Sequence, residues 1–163
     1  MAEVYVGLDV SDKSTHLCVV GGSGDVIWSG ACGTDLVTAR LMTAPGVGPI
    51  TALVFKSSIE DPERFSRGED AGAFAGLAPR RNQSGERDYK GRISRAGDPM
   101  LRRALYEAAN VLLGRVKRPC ALRDWGQKLA ETKGPKRARV AVARKLAVLL
   151  HRLWRSETDF RWA

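Results

Sequence analysis

Residues 76–95 read GLAPRRNQSGERDYKGRISR, and within them one Ser-Gly pair, Ser84-Gly85, stands among Arg80, Arg81, Arg87, Lys90, Arg92 and Arg95. Only Glu86 and Asp88 oppose those cations locally, so the segment repels itself until a polyanion neutralises it. Nucleic acid is such a polyanion. A serine hydroxyl in this setting can attack a phosphodiester if guanidinium groups neutralise the phosphate and hold the developing charge while a base takes the proton. The same Ser-Gly pair also fits an ordinary turn. Tyr89 is a rival hydroxyl beside Arg87 and Lys90, where stacking or phosphate hydrogen bonding is its other role.

A second candidate lies at 41–52, LMTAPGVGPITA. The run Gly46-Val47-Gly48 followed by Thr51 and Ala52 matches a helix-hairpin-helix pattern, with Pro49 suited to a first helical position. Glycines there would let the backbone approach a phosphate closely, and the free N–H groups at the second helix start would bind the anion without reading sequence. A plain tight turn between two helices is the alternative.

Asp9 closes the first apolar run in Gly7-Leu8-Asp9-Val10-Ser11, where an RNase H-like sheet would present its first Mg²⁺-binding carboxylate. Two-metal phosphoryl chemistry needs several converging carboxylates, and no later strand pattern supplies them. Asp9 is therefore either a metal ligand or a turn aspartate, while Asp12, Asp25, Glu60 and Asp61 are explained by turns and helix caps. Cys18, Cys32 and Cys120 lack C-x-x-C spacing, which argues against a disulfide framework or zinc thiolates and for buried thiols. His16 and His151 read as structural histidines.

The elements that must position these residues follow from periodicity. Strand patterns at 4–10, 15–20 and 25–30, separated by Ser11-Asp12-Lys13-Ser14 and Gly21-Gly22-Ser23-Gly24, predict a three-stranded antiparallel meander, after which strand signals stop. Helical patterns follow at 36–43, 49–58, 69–74, 99–117 and 120–132, and again beyond Gly134-Pro135. Too many glycines and charges fill 76–96 for a regular element, so it reads as an ordered loop or a hairpin. The fold class expected is α+β: a short β-meander over 1–34, then an all-α domain with a helix-hairpin-helix motif over 35–163. A 163-residue chain that is 44% apolar can bury a real core. Its net charge of +9 and pI near 9.9 suit a nucleic-acid binder. The charge is uneven: residues 1–40 hold two cations against five carboxylates, net −3, leaving +12 on the remainder. No run is long and apolar enough for a membrane span and the N-terminus lacks a signal-peptide pattern, which predicts a cytoplasmic protein.

GLDVSDKSTHLCVV resembles the opening of IS110/IS1111/IS116/IS902-type transposases, and TAPGVGPITALVF with AFAGLAPRRNQSGERDYKGRISRAGDPMLRRALYEAA resembles their C-terminal transposase domain. The resemblance implies an RNase H/RuvC-like domain with a DEDD carboxylate set and Mg²⁺, of which Asp9 would be the first ligand. It also implies Ser84 as the nucleophile that joins DNA covalently, residues 45–52 as a DNA-binding hairpin, DNA and a structured guide RNA as partners, and a homo-oligomer. In the family a longer stretch with the remaining carboxylates separates the two blocks, whereas here 28–40 bridges them directly. An internally deleted transposase is thus expected, its three-stranded sheet docking on its own helices or on another chain.

Overall fold

A computed structural model describes residues 3–11, 13–33, 35–84 and 87–162, with the side chains of 8, 10, 17, 32–33, 81–84 and 87–91 outside the description. The chain is α+β. Strands β1 (Val4–Val10), β2 (Ser14–Gly21) and β3 (Val26–Gly33) form an antiparallel sheet in the order β1-β2-β3. A register shift falls at Val19/Val20, where a bulge increases local twist.

The hydrophobic core begins at Leu41, and no described residue of the sheet belongs to it. Val4, Tyr5, Val6, Val26, Ile27 and Trp28 are all more than half exposed. The expected docking of the sheet onto its own helices is thus not found among the described residues. His16 follows the same logic. It lies exposed on the open sheet rather than in a core, its Nε2 3.3 Å from the Ser14 hydroxyl. Among the thiols, Cys120 is buried and Cys18 half-buried, while the Cys32 side chain lies outside the described residues.

The helical part is organised around α6 (Pro135–Arg155), which buries Ala138, Val142, Ala143, Leu146, Ala147, Leu150, His151 and Leu153 along one stripe. Spacings of three and four make that stripe a single face, and each fully buried leucine contributes roughly 2 kcal/mol. Against it pack α3 (Gly68–Phe74), α4 (Pro99–Gly114) and α5 (Ala121–Lys133), with α1 (Leu36–Met42) touching it as well. His151 is the buried polar member, and its Nε2–H donates to the Pro62 carbonyl at 2.8 Å while Phe65 stands edge-on to the ring. A structural histidine was expected there, and this is one. Helix α4 ends at Gly114, three residues short of the expected boundary, because Gly114 and then Pro119 disfavour continuation.

Strand signals do not stop after the meander. β4 (Pro79–Ser84) and β5 (Arg87–Ile93) form a separate antiparallel hairpin, so the second region is mostly helical and not all-α. A hairpin is one of the two readings of 76–96, but its strands go unmarked because arginine, asparagine and glutamine replace the β-branched residues that usually announce a strand. Backbone pairing between near neighbours in the chain overrode that weak propensity.

Helix α1 and α2 (Pro49–Ile59) are tied at their outer ends. Asp35 caps α1, accepting from the Thr38 backbone N–H at 3.0 Å and the Thr38 hydroxyl at 2.6 Å, and it meets the Lys56 ammonium of α2 at 2.9 Å. Partial burial pushes the Asp35 carboxyl up, but those hydrogen bonds and the Lys56 charge together outweigh it and bring the pKa from 3.8 down to about 2. A carboxylate with a depressed folded pKa contributes stability that is present above its unfolded value and lost as pH falls. Asp35→Ala is expected to cost about 1 kcal/mol near neutral pH, and urea denaturation at several pH values should show the difference from wild type shrinking between pH 3.8 and about 2.

Candidate functional site

Ser84 is the last residue of β4 and pairs with Arg87, the first of β5. The hairpin thus carries Ser84 at its far end, with Gly85 and Glu86 outside the described residues. Arg81 pairs with Lys90 across the two strands. The side chains of Ser84, Arg81, Arg87 and Lys90 lie outside the description, as does that of Tyr89. Arg80 is exposed and bridges the strands by donating to the Ser94 carbonyl at 3.2 Å. Arg92 and Arg95 are exposed, and neither forms an ion pair with a described residue. Arg95 also holds a left-handed backbone, φ 57°, uncommon for a side chain of its size.

The foot of the hairpin is clamped to the helices. Ser94 N–H donates to the Ala78 carbonyl and Arg95 N–H to the Gly76 carbonyl, at 2.8 and 3.1 Å. From α4, the Arg102 guanidinium donates through Nη1 to the carbonyls of Ala75 and Gly97, 3.3 and 3.1 Å away, one before β4 and one after β5. Gly97 is needed at that crossing, since a Cβ there would run into the Phe74 carbonyl oxygen. Sequence reading did not single out Arg102 for this role. Its partners are carbonyls contributed by two loops, and no local pattern marks them.

In the turn between α1 and α2, Gly46 has φ 79°, and a Cβ there would meet the Ala108 carbonyl at 2.6 Å and Leu112 at 2.9 Å. The close approach that this glycine permits is therefore to α4. Val47 is buried, and Thr51 is buried with its hydroxyl 3.4 Å from the Ala104 carbonyl. Gly48 differs: it is the N-cap of α2 without a side-chain cap, and nothing lies within 4 Å of the position of its Cβ. Beside it Ile50 is exposed. An α2 N-terminus open at Gly48 leaves N–H groups able to receive an anion.

Asp9 is exposed on β1 and pairs with His16 of β2, on the sheet face that also carries Gly7, Cys18 and Ser29. Among the described residues no group of three or more His, Cys, Asp or Glu side chains converges on one point. Mg²⁺ demands near-octahedral oxygen coordination, so the donors described here do not by themselves fit that ion. No helix of the described residues is long and apolar enough to cross a membrane.

The described residues thus combine a serine at the end of an arginine-rich hairpin with a helical body that leaves the start of α2 open. Residues 38–125, more than half of the chain, match the transposase IS116/IS110/IS902 family, and the chain belongs to that family. It is 37% identical over 131 residues to a putative transposase, y4pF/y4sB, of Sinorhizobium fredii, covering 79% of this chain and 34% of that protein. It is also 37% identical over 123 residues to the transposase for insertion sequence element IS1111A of Coxiella burnetii, covering 75% and 34% respectively. A probable family 20 transposase of Pseudomonas aeruginosa is 33% identical over 132 residues, 78% of this chain and 38% of its own. The chain thus spans about a third of the length of these relatives.

The Arg102 clamp yields a direct expectation. Arg102→Leu removes two charge-assisted hydrogen bonds, and tryptic cleavage within 79–93 should accelerate about tenfold while the helical body keeps its cooperative thermal transition. Arg102→Lys, which lacks the planar fork, should restore only part of the protection.

Proposed function

We propose that this chain is the DNA-handling and serine-bearing part of an insertion-sequence transposase, with Ser84 as the nucleophile of strand exchange. What carries the reading is the placement of Ser84 at the end of β4, opposite Arg87, within the segment matched by the transposase family. In the step proposed, the Ser84 oxygen bonds to phosphorus, the phosphodiester bond to the neighbouring nucleotide breaks, and the serine proton passes through a base to the departing hydroxyl. Arg80, Arg81, Arg87, Lys90, Arg92 and Arg95 neutralise the phosphate and its neighbours. The α1–α2 turn acts as a helix-hairpin-helix element that holds a DNA backbone at Gly48, with Gly46, Val47 and Thr51 shaping the turn from inside. A structured guide RNA, a homo-oligomeric assembly and Mg²⁺ at Asp9 complete the proposal. The metal, where bound, would supply charge neutralisation at the phosphate, and its other carboxylates must come from outside the residues described here.

The scarcity of converging carboxylates favours a more restricted version of the same reading. The two blocks, 1–34 and 35–163, are then a RuvC-like remnant and a transposase domain joined by internal deletion. Such a chain binds nucleic acid, has little or no strand exchange alone, and interferes with an intact relative by mixed assembly.

The deciding test is a denaturing gel after incubation with Mg²⁺, guide RNA and labelled element-junction DNA, beside a native gel that reports binding. A covalent adduct lost in Ser84→Ala would establish the nucleophile, and binding without adduct would leave the restricted version standing. Replacing Arg80, Arg81 and Arg92 together should lower the salt dependence of DNA affinity by up to about three units of slope. Gly48→Ala should weaken duplex binding with stability unchanged to within about 0.5 kcal/mol. Gly46→Ala should instead destabilise the fold by about 2 kcal/mol or more, read by urea denaturation, because of its positive φ and the α4 contact.

A further inference from the structure

A groove of about 830 Å³ opens between α3, α6 and the C-terminal segment 156–162, and Ala78, the residue before β4, forms part of its edge. Its floor is apolar, with Val148, Leu149, Leu122 and the Phe160 ring. Its rim carries Arg144, Lys145, Arg152 and Arg161, all exposed, against Glu69 and Asp70 of α3. None of these four cations forms an ion pair with a described residue, although Lys145 lies over the Trp125 ring at 4.1 Å.

The wall containing Phe160 is built rather than loose. The Phe160 N–H donates to the Thr43 hydroxyl at 2.8 Å, its ring stands edge-on to Trp162 with centroids 5.3 Å apart, and Arg118 lies over the Trp162 ring. Such a wall offers a rigid aromatic surface whose position is held by α1 and by the loop after α4.

We infer that this groove takes an unpaired stretch of one or two nucleotides, its bases against the Phe160 and Val148 floor and its phosphates on Arg144, Arg152 and Arg161. The inference rests on the nucleic-acid reading above and adds a single-strand site to it. The volume falls within the roughly 300–1,000 Å³ of small-ligand sites, and an apolar floor beside cations is what base stacking combined with phosphate neutralisation requires. Duplex DNA exposes no base faces to such a floor. An acidic peptide would satisfy the cations but place its carboxylates beside Glu69 and Asp70, whereas base N–H groups, thymine N3–H included, can donate to them. From Ala78 to Ser84 is about 20 Å along the strand, so a strand opened near Ser84 could lodge its unpaired nucleotides at the foot of the same hairpin.

The test uses the full chain with a fluorescent ten-nucleotide thymidine oligomer and, separately, a labelled mixed-sequence duplex. Ala73→Trp fills the groove from an exposed position of α3 without changing charge, and Arg161→Glu alters the tail rim. Ala73→Trp should weaken single-strand binding about tenfold and leave duplex binding within about twofold. Arg161→Glu should weaken single-strand binding the more strongly of the two probes. Photocrosslinking with a bromodeoxyuridine oligomer should mark the tryptic peptide 156–161. Single-strand binding unchanged in Ala73→Trp, with no crosslink on that peptide, would overturn the inference while leaving duplex binding and its reading intact. Competition by a poly-glutamate peptide but not by unlabelled thymidine oligomer would assign the groove to acidic peptides and also overturn it. Failure of the wild-type chain to bind either nucleic acid would sink the parent reading instead.

Discussion

Everything in the helical region depends on keeping the apolar stripe of α6 away from water. That stripe is eight residues long in side chains and packs against three other helices at once, so each of α3, α4 and α5 is oriented by the requirement to cover part of it. Because one face of α6 is fully committed, its other face can carry the unpaired cations Arg144, Lys145 and Arg152 without loss of core. A chain of net charge +9 needs this separation, since the same charges inside the core would cost several kcal/mol each.

The β4–β5 hairpin is the opposite case. Its sequence carries repelling charges, and its described attachments lie at its foot. Two backbone hydrogen bonds and the Gly97 crossing close that foot, and the Arg102 guanidinium ties it to α4. α4 is in turn held by Asp98, which caps it through the Met100 N–H and receives the Ser58 hydroxyl of α2, bonds that draw the Asp98 carboxyl below its ordinary pKa. The rigid scaffold thereby presents a charged projection, the usual division of labour between core elements and functional loops.

The sheet shows what happens without a partner. β1 to β3 pair with one another, yet Val4, Tyr5, Val6, Val26, Ile27 and Trp28 lie exposed, and no described residue of the sheet joins the helical core. An isolated small sheet is marginal. In physical terms it is the least self-sufficient part of the chain, and it is also where Asp9 sits.

Periodicity alone placed the three strands of the meander and located six helices within a few residues. Those elements repeat a pattern over seven or more positions, or start on Asp98-Pro99 or Gly134-Pro135, so local chemistry marks them. The charge imbalance was legible for the same reason, since residue identity suffices. The hairpin strands were not, because their pairing depends on a partner rather than on their own residue types. Nor were the inward turn of Thr51, the dependence of Gly46 on α4, the clamp by Arg102, or the groove beside Phe160. Each of these joins groups from distant parts of the chain, and only close packing of the helices decides which carbonyl a guanidinium meets or which glycine touches a neighbouring helix.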